Sequence, residues 1–324
     1  MTPFKSTANT MQALVKYHGL KDWKLRLPYH DSISVNTTSL GSEVVVSEAE
    51  GGKGVLLVEG KGNEDALRRI QAVSQKLAGK PFEELGLRFD SRNFPRVDAK
   101  GLGFSSSAGA AVTMAVFHAV DGGEPDYTEL SRVARLFAGS ASRTVVGGFS
   151  RLYAGKGYED TYAEKFADEK DLPLRMVIVP LWSSVKTEDA HREVESSPFF
   201  KARIESASKR CDEMEKAIKG GDLKKVGELV EQDTLELHSI TMTGANRLVV
   251  MSPDTIRVIT KVRELRSNSV EAYFSMQTGP SVFINTSDGD EEKVRRAISH
   301  MGYKTLTSGV GKGARVGRVG RSGD

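Results

Sequence analysis

A single cysteine, Cys211, stands in 324 residues, so no disulfide can form within the chain; this fits a reducing compartment. No apolar run approaches the ~20 residues needed to cross a bilayer. The opening stretch MTPFKSTANT lacks the apolar core of a secretory signal. A cytoplasmic protein without a membrane partner is therefore expected. Charge of one sign is also scarce: 46 Lys and Arg against 43 Asp and Glu leave a net charge of +3. So small an excess serves an anionic metabolite as readily as nucleic acid, and no nucleic-acid partner is expected. What is present is ordinary for a globular protein: 39% hydrophobic residues, 27% charged residues and a mean hydropathy of -0.34. The length suits two domains, each with its own core. The one biased segment is GVGKGARVGRVGRSGD at residues 309–324, which joins Gly to basic residues without apolar periodicity. It reads as a frayed run, with 317–324 as a flexible basic tail.

Apolar spacing divides the rest into elements. Residues 33–37, 43–47 and 54–58 read as short strands bounded by Gly and polar turns. Residues 65–77 carry Leu67, Ile70, Val73 and Leu77 at helical spacing. A small-residue helix opens near Ser105 and runs to about Val120, and another begins near Thr128 with Leu130, Val133, Leu136 and Phe137 on one side. Residues 144–153 read as a Gly-punctuated strand. The buried-strand candidate at 175–181 follows a charged stretch, so a domain boundary is expected before it, giving 1–172 and 173–316. The second half predicts helices at 198–219, 223–238, 253–265 and 291–301. Strands are predicted at 271–276, 281–285 and 303–306. Strands with helices on one side predict a layered α+β domain.

Three segments concentrate chemistry. The run Gly101-Leu102-Gly103-Phe104-Ser105-Ser106-Ser107 joins glycines, which let backbone approach a ligand, to hydroxyls and free N–H groups at a helix start. That arrangement binds anions, and it is equally a plain helix start. Lys16 ends an apolar stretch just before Tyr17-His18-Gly19; a snorkelling surface lysine is the bland alternative. Arg143 lies among small residues between Ala138 and Phe149, which leaves room beside a guanidinium whose fork suits carboxylate or phosphate. An ion-paired structural arginine would look the same. Cys211, among Lys209, Arg210, Asp212 and Glu213, reads as structural.

Together, VKYHGLKDWKLRLPYHDSISV at 15–35, GLGFSSSAG at 101–109, GSASR and GGF within 139–149, KTEDAHREVESSPFF at 186–200 and QTGPSVF at 277–283 resemble the mevalonate diphosphate decarboxylase family. The likeness is densest to the branch acting on mevalonate 5-phosphate, in which KYHG replaces KYWG. It runs from about Ser6 to Val316. The resemblance implies an α+β GHMP-kinase fold, with an N-terminal domain like ribosomal protein S5 domain 2 and a ferredoxin-like C-terminal domain. The site lies between them, and members are usually homodimers. It implies Lys16 and Arg143 as holders of the substrate carboxylate and 3-phosphate, and Ser106 as the loop serine near the transferred phosphate. Gly101, Gly103, Ser105 and Ser107 complete that loop. Tyr17, His18 and Lys21 lie where the family grips the distal phosphate, with Ser140 and His191 on the substrate side. Leu20 stands in the place of a lysine of the diphosphate enzymes, which argues for a 5-monophosphate end. No side-chain metal site is implied.

Two departures fall on the kinase half of the reaction. Gln277 holds the place of the family's aspartate, and an amide cannot act as a general base. The loop RVDAKGLGF at 96–104 is longer than the family's usual segment, and Phe104 replaces a small residue, where a ring would crowd ATP phosphates. Lys16, Ser106 and Arg143, on the decarboxylation half, are intact. The leading expectation is therefore ATP-independent decarboxylation of mevalonate 3,5-bisphosphate to isopentenyl phosphate, with no cofactor required. The alternative is a phosphomevalonate or diphosphomevalonate decarboxylase using ATP and Mg. A mevalonate 3-kinase and a non-enzymatic metabolite- or RNA-binding descendant follow.

Overall fold

The computed structural model describes residues 1–319. β1 (Phe4–Val15) leads into a small ladder of β2 (Leu20–Asp22) and β3 (Leu27–Pro28). β4 (Ser32–Glu48) is continuous and covers both stretches that the sequence pattern separates. After it come β5 (Val55–Val58), β6 (Lys61–Gly62), α1 (Glu64–Ala78) and β7 (Leu87–Phe94). Three helices follow, α2 (Phe104–Val120), α3 (Tyr127–Phe137) and α4 (Ala141–Val146), then β8 (Phe149–Leu152) and β9 (Ala163–Ala167). The second half contains β10 (Arg175–Val179), α5 (Thr187–Glu193), α6 (Phe200–Lys219), α7 (Leu223–Met242) and α8 (Pro253–Ser267). It closes with β11 (Ala272–Met276), β12 (Val282–Thr286), α9 (Glu291–His300), β13 (Leu306–Ser308) and β14 (Arg315–Arg318). Local chemistry sets the helix starts. Asn63 accepts from the Ala66 amide, Asp126 accepts from those of Thr128 and Glu129, and Ser252 forms a capping box with Thr255 ahead of Pro253.

The first sheet has eight strands in the order β14-β1-β4-β7-β5-β6, with β8 joining β4 and β9 joining β8. The second is antiparallel, β11-β12-β10-β13. One core lies between the first sheet and α1 to α4, including Val44, Phe89, Ala111, Val133 and Phe137. A second runs across the seam, joining Leu14, Ile33 and Phe149 to Met176, Ile178, Met214 and Phe283. A third packs α8 and α9 on the second sheet. Cys211 belongs to the seam core, and burial pushes its thiol up, in keeping with a structural role. Among the described residues no helix is long and apolar enough to cross a membrane.

Three expectations are corrected. Residues 144–146, read as strand, are the last turn of α4: the Gly147 amide bonds the Arg143 carbonyl at 3.3 Å, and Gly147 then leaves the helix at φ +75°. Buried Val145 decides this by packing rather than by β propensity. The strand expected at 303–306 lies at Leu306–Ser308. The run expected to fray is folded. The Gly311 amide bonds the Asn36 carbonyl at 2.7 Å, the Ala314 amide bonds the Val145 carbonyl at 3.0 Å, and β14 pairs with Phe4 to Thr7 of β1. Of the expected tail, Gly317 and Arg318 lie in β14, and 320–324 lie outside the described residues.

Candidate active site

β1 ends at Val15, and the next residue is held by the other half of the molecule. The Lys16 amide donates to Asp233 Oδ2 at 2.9 Å, and its carbonyl accepts from Arg203 Nη2 at 2.8 Å. Asp233 Oδ1 also accepts from Arg203 at 2.7 Å and from Arg210 at 3.1 Å. This buried ionic lattice between α6 and α7 fixes both backbone groups of Lys16, whose side chain is itself buried. Burial first, then the like charge of Arg143, brings the Lys16 ammonium from 10.5 down to about 7, with Asp233 partly opposing.

Arg143 sits on α4, fully buried, donating to Ser32 Oγ and approaching Met11 Sδ at 4.0 Å. Its guanidinium carbon lies 5.5 Å from the centre of the Tyr17 ring. Among the described residues no carboxylate forms an ion pair with it, and burial works against its charge. A buried guanidinium without a counter-ion is costly, and an anionic ligand relieves that cost.

The loop before α2 closes on the same place. Gly103, at φ +84°, precedes the helix, and a Cβ there would stand 2.9 Å from the Met11 carbonyl oxygen. At Gly101 a Cβ would stand 2.9 Å from Gly279. These glycines admit neighbouring backbone rather than a ligand. The Ser106 and Ser107 amides turn back to the Gly103 carbonyl at 3.0 and 3.2 Å. That leaves the amides of Phe104 and Ser105 as the free donors of the first turn. Ser106 Oγ meets Thr144 Oγ1 at 2.8 Å, Ser107 Oγ meets Ser42 Oγ at 2.7 Å, and Ser105 is exposed.

Three histidines complete the wall. His18 and His191 meet edge to face with centroids 4.9 Å apart, and Tyr17 lies 5.5 Å from His191. His18 Nε2 reaches Thr278 Oγ1 at 3.0 Å. Burial holds all three imidazoles neutral, lowering His18 well below its usual range, His191 to about 3 and His238 to about 4. Among the described residues, His18 Nδ1, His191 Nδ1 and Gln277 Nε2 have no partner, while His238 lies against the Gln277 backbone. Buried polar atoms are normally satisfied, so this group marks where a polar ligand belongs. Ser140 stands half-buried before α4, with its hydroxyl making no cap bond. No group of three His, Cys, Asp or Glu side chains among the described residues could hold a metal.

The structure thus brings Lys16, Tyr17, His18, Ser106, Arg143, His191 and Gln277 to one seam, with Ser140 at its side. Lys21 is not among them: it is exposed on β2, on the side of Asp160. Arg26 takes the inward position, close enough to influence both Tyr17 and His191. Sequence reasoning missed Arg26, Ser32, Arg203, Asp233, His238 and Thr278. Arg26 and Ser32 lie inside the dense block at 15–35, and Thr278 inside QTGPSVF at 277–283, and could have been found there. The others sit in helices with no local signature.

Residues 8–163 match the family model described as the diphosphomevalonate decarboxylase-like N-terminal domain. Residues 182–312 match the mevalonate 5-diphosphate decarboxylase C-terminal domain. A phosphomevalonate decarboxylase of Haloferax volcanii is 38% identical over 321 residues, covering 95% of this chain and 96% of the relative. The chain belongs to the mevalonate-phosphate decarboxylase family. A mevalonate 3,5-bisphosphate decarboxylase of Thermoplasma acidophilum is 27% identical over 288 residues, covering 86% of this chain and 69% of the relative. The solved mevalonate diphosphate decarboxylase of Enterococcus faecalis superposes with a TM-score of 0.87 at 25% identity, covering 98% of this chain and 99% of that one. The α+β GHMP-kinase fold implied by the motifs is the fold observed. As a mevalonate-phosphate decarboxylase the chain is a carboxy-lyase that binds a phosphorylated mevalonate, and the buried Lys16 and Arg143, without an ion pair among the described residues, are cations of the kind such an anion needs.

Proposed function

We propose that the chain decarboxylates mevalonate 5-phosphate with ATP as cosubstrate, releasing ADP, phosphate and carbon dioxide and leaving isopentenyl phosphate. The observation that carries this is the 38% identity to a phosphomevalonate decarboxylase over nearly both full chains, against 27% to the bisphosphate enzyme. It favours the ATP-dependent alternative over the ATP-independent reaction that Gln277 and Phe104 suggested. Phe104 supports the change, because its ring packs with Val97 and Ala99 against the seam core. The longer loop gives the ring its own place. Gln277 is also compatible: phosphoryl transfer runs through a loose transition state that asks more of positioning and charge than of a strong base. Its buried amide, with Nε2 unpartnered among the described residues, can orient the 3-hydroxyl by hydrogen bonding, while the hydroxyl proton would pass to a phosphoryl oxygen and leave with the phosphate.

The start of α2 fits a triphosphate through the free amides of Phe104 and Ser105, the exposed Ser105 hydroxyl and the dipole of a 17-residue helix. When bound, ATP supplies the phosphoryl group that makes the 3-hydroxyl a leaving group, with Mg offsetting its charge. The chain's own residues do the rest. Arg143 and Lys16 hold the carboxylate and the 3-phosphoryl oxygens, with Ser106 and Thr144 beside them. Departure of phosphate takes the C3–O electron pair and leaves a developing cation at C3. The bond from C2 to the carboxyl carbon then breaks, its electrons forming the alkene as carbon dioxide leaves. The neutral imidazoles line the site without adding to its charge.

The test is carbon dioxide release from mevalonate 5-phosphate with Mg-ATP and, separately, from the 3,5-bisphosphate without ATP. Release in the first alone is expected. Release in the second alone would restore the ATP-independent reading, which Gln277 favours. A cytoplasmic location and a homodimer belong to the same proposal, to be checked by fractionation and light scattering.

A further inference from the structure

Past Tyr17 the side chains that flank the buried seam become more exposed, and this marks its mouth. Relative exposure is 3% at Tyr17 and rises to 17% at the Arg26 side chain, 16% at Arg69 and 47% at Glu188. A Cβ on Gly139 would fall 2.1 Å from Tyr17 Oη and 3.9 Å from Arg26 Cβ, so phenol and arginine share the surface of one bare turn. Both arginines are tied to the end of α3: Arg26 Nε donates to the Leu136 carbonyl and Arg69 Nη1 to that of Phe137, each at 3.3 Å. They therefore present a fixed pair of cations at the mouth.

Among the described residues one carboxylate lies within 4.0 Å of both. Glu188 Oε1 lies 2.9 Å from Arg69 Nη2 and 3.8 Å from Arg26 Nη2. It stands on α5 three residues before His191, whose ring faces Tyr17 and His18. Residues three apart share a helix face, so His191 faces the clamp and Glu188 the mouth. Asp65 holds Arg69 Nε at 2.8 Å and acts on Arg26 as well, more weakly than Glu188 does.

We propose that Glu188 determines how many phosphates the substrate carries: by occupying the Arg26–Arg69 pair, it leaves room and charge for one phosphate and repels a second. This rests on the reading above, in which the carboxyl and O3 of substrate lie at Lys16 and Arg143, so that the phosphoester end points along Tyr17 to the mouth. A 5-monophosphate then meets Arg26 beyond the Tyr17 phenol. A 5-diphosphate has to bring its outer phosphate against the Glu188 carboxylate, and a like charge in that place discriminates between ligands.

The test measures dissociation constants and kcat/KM for mevalonate 5-phosphate and mevalonate 5-diphosphate on the full chain and on Glu188→Gln. The preference between the two esters should move toward the diphosphate by about tenfold or more, the scale of a juxtaposed like charge. Asp65→Asn, which removes the carboxylate that pairs with Arg69 and acts on Arg26 more weakly than Glu188 does, should move the preference less. An unmoved preference in Glu188→Gln, or an equal movement in Asp65→Asn, overturns the proposal. If neither ester is turned over with Mg-ATP, the functional reading fails by itself, while the ratio of the two dissociation constants still decides on Glu188.

Discussion

Burial and the Arg143 guanidinium bring Lys16 to about 7, so the free protein holds it half charged near neutrality. The charged form is the one that grips a carboxylate or phosphoryl oxygen. As pH rises through 7 that form is lost, and kcat/KM should fall about tenfold per pH unit beyond it. A bound anion favours the ammonium, so the same limb in kcat should lie at higher pH. Profiles of both parameters from pH 6 to 9 check this, and a flat kcat/KM would remove Lys16 from the clamp. At Arg143 the expectation is larger and does not depend on pH. Arg143→Ala deletes a preorganised donor aimed at developing charge, so kcat should drop on the order of 10²–10³-fold. Near-normal turnover in a folded Arg143→Ala protein would refute the assignment.

Helices α6 and α7 act on that lysine from across the seam. Asp233 is the group that raises Lys16 against burial, and Asn in its place can still accept from the Lys16 amide while losing the charge. Asp233→Asn should therefore shift the alkaline limb of kcat/KM to lower pH. Glu236→Gln, in the same network through Arg203 and Arg210, should lower thermal stability without shifting the limb. Equal shifts in both variants would reduce Asp233 to a structural part. This also shows what the sequence could and could not reveal. Lys16, Ser106 and Arg143 stand in short runs whose residue types announce ligand chemistry. Arg203 and Asp233 lie on two charged helices, 30 residues apart, and each looks like any solvated face. Helices with clear caps or periodicity, such as α3 and α8, were legible. The polar stretch 38–42 reads as a turn, yet β4 runs through it: partners hold it at 32–36 and 41–48, and between them a register shift opens where Thr38 bonds Ser308 and Gly309 instead. Tertiary pairing overrode local preference there, as packing did in α4.

At the scale of the whole molecule, the glycine-rich C-terminal run misled because glycine serves close approach as well as freedom. A Cβ at Gly311 would fall 1.8 Å from the Thr37 carbonyl oxygen, so Gly311→Ala should destabilise the protein by ~1–3 kcal/mol, read as a lowered unfolding midpoint in urea. Stability should also depend on pH in a window set by buried imidazoles. Burial lowers His30 and His191 to about 3 and His238 to about 4, from 6.5 in the unfolded chain. Below pH 6.5 the unfolded state takes up protons that the folded state refuses, so stability falls as pH drops, and each group goes on losing it until its folded value is reached. Lys16 slopes the same way at higher pH, because between about 7 and 10.5 the unfolded chain again holds the extra proton. Most carboxylates remain ionised down to pH 5, which isolates the histidines between 6.5 and 5. Thermal midpoints should decline across that interval, and the decline should be shallower in His30→Gln, whose ring meets the Asp31 carbonyl outside the clamp. A midpoint constant from pH 7 to 5 would mean that these imidazoles are protonated in the folded protein, and the site would then carry more positive charge than its neutral walls allow.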